Sequence, residues 1–187
     1  MGYVFDPAVL YECAKKGVGI ERIEDSFDVV TAALLDRYPG YVDGGPRRWV
    51  FNNAGGAMGQ LTLLHASLSE YIIFFGSAIG TEGHSGRYAA EVHDWLFRGD
   101  MWCFVEGETE KTVYHPGDWA VLGPGKTKGY RLPDAAWMLE YARGPIPGML
   151  PFGLADSLLS TLDHKAVRRT VWNYGRLTVR SLLKGKI

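Results

Sequence analysis

The spacing of glycine and proline between Trp49 and Pro145 constrains this chain more than any other feature. Gly55-Gly56, Gly76, Gly80, Gly83, Gly86, Pro116-Gly117, Pro124-Gly125 and Gly129 cut the stretch into short apolar runs. Alternation with a period of two is visible in Gln60-Leu61-Thr62-Leu63 and in Trp119-Ala120-Val121-Leu122, as a half-buried strand requires. Many short strands separated by close turns predict an antiparallel barrel or sandwich. The segment 85–97 fits a strand or a short helix, and both readings stay open.

Outside this stretch the period is helical. Asp6-Pro7 has the form of an N-cap followed by proline at N1, which predicts a helix to about Lys16 that stops at Gly17. A second helix fits Ser26 to Tyr38, with Phe27, Val30, Leu34 and Leu35 on one stripe and Pro39-Gly40 at its end. After Pro151, Leu154, Leu158, Leu159 and Leu162 share a face, as do Val167, Val171, Tyr174 and Leu177. With no repeat and no linker, the chain reads as one domain over 1–187. It has a helical N-terminal segment (1–45), a cupin-like antiparallel β-barrel (46–147) and two C-terminal amphipathic helices (148–187). The fold class expected is mainly β with flanking helices, α+β.

Composition excludes several functions. A formal net charge of −1 gives no global attraction to nucleic acid, and none is expected as a partner. The two cysteines, Cys13 and Cys103, fit neither a disulfide framework nor a zinc site. His65, His84 and His93 with Glu91 and Asp94 lack the spacing of metal-ligand motifs. The turns Pro116-Gly117-Asp118 and Gly123-Pro124-Gly125 have the rhythm of a cupin's second motif, but no histidine follows where a metal ligand would stand. Neither a metal nor a cofactor is expected. No apolar run of about 18 residues encodes a transmembrane helix, and Met1-Gly2-Tyr3 begins nothing like a signal peptide. Residues 164–187 hold seven Lys or Arg and no Asp or Glu. That basic amphipathic tail reads as a membrane-surface element or as a solvated helix packed on the barrel.

Three motifs bear on chemistry. Asn53 to Gly59 is glycine-rich but matches no phosphate-binding pattern, so its glycines serve a tight turn or close backbone contact, inside the barrel or between subunits. In His65-Ala66-Ser67-Leu68-Ser69-Glu70-Tyr71 there is no nucleophile elbow; as a strand, His65, Ser67 and Ser69 form a hydrogen-bonded layer, while Glu70 takes structural hydrogen bonds. The third is Trp137-Met138-Leu139-Glu140-Tyr141-Ala142, where a carboxylate interrupts an apolar run. Alternation puts Glu140 on the face of Met138 and Ala142. If that face lines a lumen, the carboxyl is desolvated and its pKa raised, and a second acid nearby would share its proton. The rival reading pairs Glu140 with an arginine such as Arg143.

The motifs WVFNNAGGAMG (49–59), LHASLSEY (64–71), GHSGRY (83–88), Leu139-Glu140-Tyr141, Gly144-x-Ile146-Pro147 and Ser160-Thr161-Leu162-Asp163 are similar to those of the sterol delta-8 to delta-7 isomerase and sigma-1 receptor family. The resemblance runs from Tyr3 to about Tyr174. It implies an occluded apolar pocket inside a cupin-like barrel, C-terminal helices closing the barrel against a membrane, and a homotrimer. It further implies residence in the endoplasmic reticulum membrane, with the family's N-terminal anchor absent from this chain. It assigns Glu140 and Asp94 as the catalytic carboxyl pair. Tyr71 would orient Glu140. Met58, Leu61, Ile73, Phe75, Tyr88, Val92, Leu150 and Tyr174 would form the wall.

NNAGGAMGQ (52–60), GTEGH (80–84) and MLPFG (149–153) resemble the fungal isomerase, whereas Tyr88, Glu91, Asp94 and Trp137 resemble the receptor. The implied reaction moves a ring double bond of a sterol from position 8 to 7. Protonation at carbon nine leaves a cation at carbon eight, and proton loss from carbon seven follows. Tyr88, Trp137 or Phe75 would be placed to add cation–π attraction. The alternative is a sigma-1-receptor-like protein that binds cationic amphiphilic amines and sterols without turnover. A third reading is a module that only shelters a sterol.

Overall fold

Alternating side chains on three long strands decide the architecture. A computed structural model describes residues 2–187 of the chain. After helices α1 (Pro7–Lys15) and α2 (Ile23–Arg37) come strands β1 (Val50–Ala54), β2 (Ala57–Ala66), β3 (Glu70–Ser77), β4 (Thr81–His84) and β5 (Glu91–Arg98). Strands β6 (Met101–Val105), β7 (Thr112–Tyr114), β8 (Trp119–Leu122), β9 (Lys128–Leu132) and β10 (Ala136–Arg143) follow, then helices α3 (Leu150–Leu159) and α4 (His164–Leu182). The strands form a six-stranded sheet ordered β1-β2-β3-β10-β5-β8 and a four-stranded sheet ordered β4-β9-β6-β7. Every pairing is antiparallel.

The large sheet is buried on both faces. Its outer face carries Ile72, Phe74, Trp95, Phe97, Trp137, Leu139 and Tyr141, which pack with Leu10, Phe27, Val30 and Leu34 of the N-terminal helices. Phe27 alone meets the rings of Trp49, Phe74, Phe97 and Trp137. The inner face carries Ile73, Phe75, Leu96 and Met138, which meet Met101, Cys103 and Leu132 of the small sheet. Apolar burial on two faces at about 25 cal/mol per Å² is the main term holding the three layers together. The N-terminal helices therefore cover one side of the sheet, and the space between the sheets lies on the other.

The mainly-β expectation with helical ends matches this arrangement, with one correction. The two sheets are not joined edge to edge by ladder bonds, so the strands form an open sandwich rather than a closed barrel. The chain changes sheets between β5 and β6 at Gly99, whose φ is +70°. A side chain there would also collide with the carbonyl of Ala135, only 2.3 Å from the Cβ position. The segment left open at 85–97 is strand β5 from Glu91 onward.

Local signals hold at α1, where Asp6 Oδ1 accepts the Ala8 N–H at 2.8 Å and Pro7 opens the first turn. Helix α2 begins at Ile23, three residues before the serine expected to start it, with no side-chain cap. Glu24 and Asp25 sit instead in its first turn, where they complement the helix dipole. The serine layer expected in strand form is a turn: Ser67 Oγ accepts the N–H groups of Ser69 and Glu70, tying the β2–β3 connection. Glu70 takes structural hydrogen bonds as expected, from the N–H groups of Val4 and Phe5 and the hydroxyl of Tyr141.

Candidate functional site

A cavity opens between the sheets, with about 1160 Å³ of empty space including its mouth. Three adjacent strands of the large sheet supply its floor. On β10, Met138 and Glu140 point inward while Trp137, Leu139 and Tyr141 point to the helices. On β3, Tyr71, Ile73 and Phe75 point inward, and on β5, Val92 and Asp94 do. Leu150, Phe152 and Leu154 of α3 and Thr170 and Tyr174 of α4 complete the wall. Tyr174 is anchored there, its hydroxyl donating to Ser67 O at 2.9 Å.

Glu140 stands directly across from Asp94 in the β10–β5 register. Facing cross-strand side chains start from Cβ atoms about 4.5–5.5 Å apart, so the two carboxyl groups are neighbours. The Tyr71 hydroxyl donates to Glu140 Oε1 at 2.5 Å. Burial pushes the Glu140 carboxyl up to about 7, and the Asp94 charge pushes the same way, while Tyr71 and the Lys128 ammonium oppose the rise. Burial first, and the Glu140 charge second, raise the hydroxyl groups of Tyr71, Tyr88 and Tyr130 well above the ordinary phenol value. The phenols therefore stay neutral donors at physiological pH. This is an apolar chamber with one buried acid poised near neutrality and a second acid beside it, an arrangement suited to proton transfer or to holding a cation.

The rival pairing of Glu140 with Arg143 does not occur. Arg143 lies three residues further along β10 and so on the opposite face, where its guanidinium binds Glu91 at 2.6 Å. Glu91 also meets His93 Nε2 at 2.8 Å, and neither enters the cavity wall. Among the described residues no cluster of His, Cys, Asp and Glu is arranged to hold a metal ion.

Of the expected wall residues, Leu61, Tyr71, Ile73, Phe75, Tyr88, Val92, Leu150 and Tyr174 line the cavity together with Glu140 and Asp94. Met58 is a correction. On β2 it lies an odd number of residues from Leu61, is 39% exposed and does not line the cavity. Trp137 is a second correction: it belongs to the outer face with Phe27 and Trp49, so it cannot offer its ring to a charge in the cavity.

Sequence reasoning missed Lys128, Tyr130, Phe152 and Leu63, all of which line the chamber. Lys128 matters most, because its Nζ contacts Asp94 Oδ2 at 2.7 Å with both side chains nearly buried. Alternation within β9 puts Lys128 and Tyr130 on one face but carries no sign of the contact with Asp94 on the other sheet. The glycine-rich turn does serve close contact inside the fold: a side chain at Gly55 (φ +61°) would strike His84 O at 2.3 Å and Phe152 Cζ at 2.6 Å.

A family model described as "ERG2 and Sigma1 receptor like protein" matches residues 1–186. The chain belongs to this family. Within it, the chain is 45% identical over 188 residues to the C-8 sterol isomerase of Neurospora crassa, covering 98% of this chain and 73% of that protein. It is 40% identical over 186 residues to the C-8 sterol isomerase erg2 of Aspergillus fumigatus, covering 98% and 78%. It is also 43% identical over 162 residues to the sigma non-opioid intracellular receptor 1 of Gallus gallus, covering 86% and 72%. Among solved structures, an RmlC-like cupin from Shewanella frigidimarina is similar over 56% of this chain and 89% of that one, at 17% identity and a TM-score of 0.45.

Proposed function

We propose that this chain is a sterol isomerase that moves a ring double bond from position 8 to position 7, with Glu140 and Asp94 as the reacting acids. The observation that carries the proposal is their direct cross-strand pairing inside an apolar cavity. Membership in a family that includes C-8 sterol isomerases supports it. The reaction needs one neutral acid, one ionised acid and little water. The acid gives its proton to carbon nine, and the electrons of the double bond form the new C–H bond. Carbon eight is left cationic. Loss of the carbon-seven proton to a carboxylate returns an electron pair as the new double bond. A carboxylate within a few ångströms stabilises that cation strongly where water is excluded. Phe75 and Tyr88, both in the wall, can each add about 0.5–2 kcal/mol if a ring faces the charge.

A sigma-receptor-like reading has one observation in its favour: Glu140 has hydrogen-bond company but no cation of its own. An amphiphilic amine would supply that cation and resemble the charged intermediate. The same proposal places the protein at the endoplasmic reticulum membrane as a homotrimer, an extension supported by the family resemblance. The mass of the detergent-solubilised protein tests the trimer.

The deciding experiment expresses the chain, fused to a membrane anchor, in yeast lacking sterol isomerase. Delta-8 sterols should be consumed by the wild type, with at least a hundredfold loss in Glu140→Gln, the scale of one general acid–base contribution. Delta-8 sterols that accumulate despite good expression of the wild type would sink the enzyme reading. Full activity in Glu140→Gln would sink the site. Sterol binding without turnover, indifferent to Glu140→Gln, would leave only the sheltering module.

A further inference from the structure

The cavity holds a charge that the isomerase chemistry does not itself require. Lys128, on β9 of the small sheet, reaches across the space between the sheets to Asp94 on β5 of the large one. The contact is 2.7 Å, with side chains 11% and 6% exposed. Among the described residues it is the one Lys or Arg in the cavity wall. A buried ammonium is costly unless a carboxylate neutralises it, so the pair is built as a unit. Glu140, the other acid, receives only the Tyr71 hydroxyl.

We propose that Lys128 is a positioning residue that sets the proton order of the site: it keeps Asp94 as the charged member and leaves Glu140 to carry the transferable proton. The proposal deepens the isomerase reading and rests on it for its catalytic consequence. The cycle balances. The O–H bond of Glu140 breaks as the carbon-nine C–H bond forms. The carbon-seven C–H bond then breaks toward Asp94, and its electrons become the new double bond. The pair is left inverted, with Asp94 protonated and Glu140 charged. The Lys128 ammonium, 2.7 Å from Asp94, favours a charged Asp94 and so draws the proton back across the strand pair to Glu140. No outside proton is consumed. Lys128 never touches the sterol in this scheme; it resets the acids between turnovers.

Other groups around the pair do not supply the same bias. Tyr71 on β3, Tyr88 before β5 and Tyr130 on β9 are neutral phenols with raised pKa values. Tyr114 on β7 is raised by its burial. The Cys103 thiol on β6 is pushed by burial to about 11. His84, at the mouth, is engaged by the Gly86 N–H at its Nδ1 and makes no contact with either acid. The Lys128 ammonium, for its part, is held charged: the Asp94 carboxylate beside it outweighs the burial that would otherwise lower its pKa, and the net shift is upward.

Two measurements on the full-length protein in detergent test the assignment. The first is the pH profile of sterol isomerisation for wild type, Lys128→Met and Lys128→Arg. Wild-type kcat/KM should fall as pH rises through about 7. In Lys128→Met the falling limb should move up by about one pH unit or more, because an opposing cation has been removed. Its kcat should drop on the order of tenfold or more with KM little changed, and Lys128→Arg should restore the wild-type limb. A Lys128→Met profile that overlays the wild type overturns the proposal. The second needs no turnover: the infrared band of a protonated carboxyl at pH 6. It should vanish in Glu140→Gln and persist in Asp94→Asn. The opposite pattern overturns the proposal even if the lysine variants fail to fold. An inactive wild type would count against the isomerase reading alone, since the infrared result stands apart from it.

Discussion

Glu140 shows how much one residue's neighbours decide. In the unfolded chain its carboxyl titrates near 4.5, and in the folded chamber near 7, chiefly through burial. Between those values the folded state binds more proton than the unfolded state, so stability falls as pH rises through that window. Urea midpoints at pH 5 and pH 7.5 should therefore differ in the wild type, and the difference should shrink in Glu140→Gln. An unchanged difference would mean that other groups carry it. Strand alternation made legible that Glu140 shares a face with Met138 and Ala142, while it was the family resemblance that made that face the inward one. The place of Lys128 was not legible. Its partner lies 34 residues away on the opposite sheet, and no local period reports a contact between sheets. Met58 failed for the converse reason: resemblance placed it in the wall, and counting alternate residues back from Leu61 would have placed it outside.

At the scale of elements, glycine and proline punctuation made the strands legible, and sheet membership was what it could not convey. Whether short antiparallel strands close into a barrel depends on where the chain changes sheets, and it does so at several connections, of which the left-handed Gly99 between β5 and β6 is one. Helix α4 bears on the alternative the sequence left open between a membrane-surface element and a packed helix. It packs on the fold through Ala166, Asn173, Leu177, Thr178 and Ser181, yet Trp172 and Leu183 remain 68% and 84% exposed. No helix among the described residues is long and apolar enough to cross a membrane. A helix lying in a lipid interface needs such apolar anchors beside basic residues, and the exposed Arg168 and Arg169 supply them. In flotation assays the protein should bind vesicles containing anionic lipid. Trp172→Glu with Leu183→Glu should abolish binding without shifting the thermal midpoint. Equal binding by the double variant would remove α4 from the membrane-surface proposal.

For the whole molecule, the buried carboxylate of Glu70 is the meeting point. It accepts hydrogen bonds from Val4 and Phe5 near one end of the chain and from Tyr141 in β10. Lys186, near the other end, completes the set at 2.7 Å, with side-chain exposures of 7% and 0%. Removing one partner of a buried ion pair strands the other, at about 3–5 kcal/mol. Glu70→Gln should lower unfolding free energy by roughly that amount in urea denaturation. A loss within about 0.5 kcal/mol, the range of an ordinary surface substitution, would show that Glu70 does not hold the ends. The Lys186 ammonium also donates to Gly2 O at 3.2 Å. The first and last described residues of this chain therefore lie side by side. A circular permutant that joins the ends through a short linker, with new termini in the exposed Glu106–Lys111 turn, would keep every strand neighbour it has now.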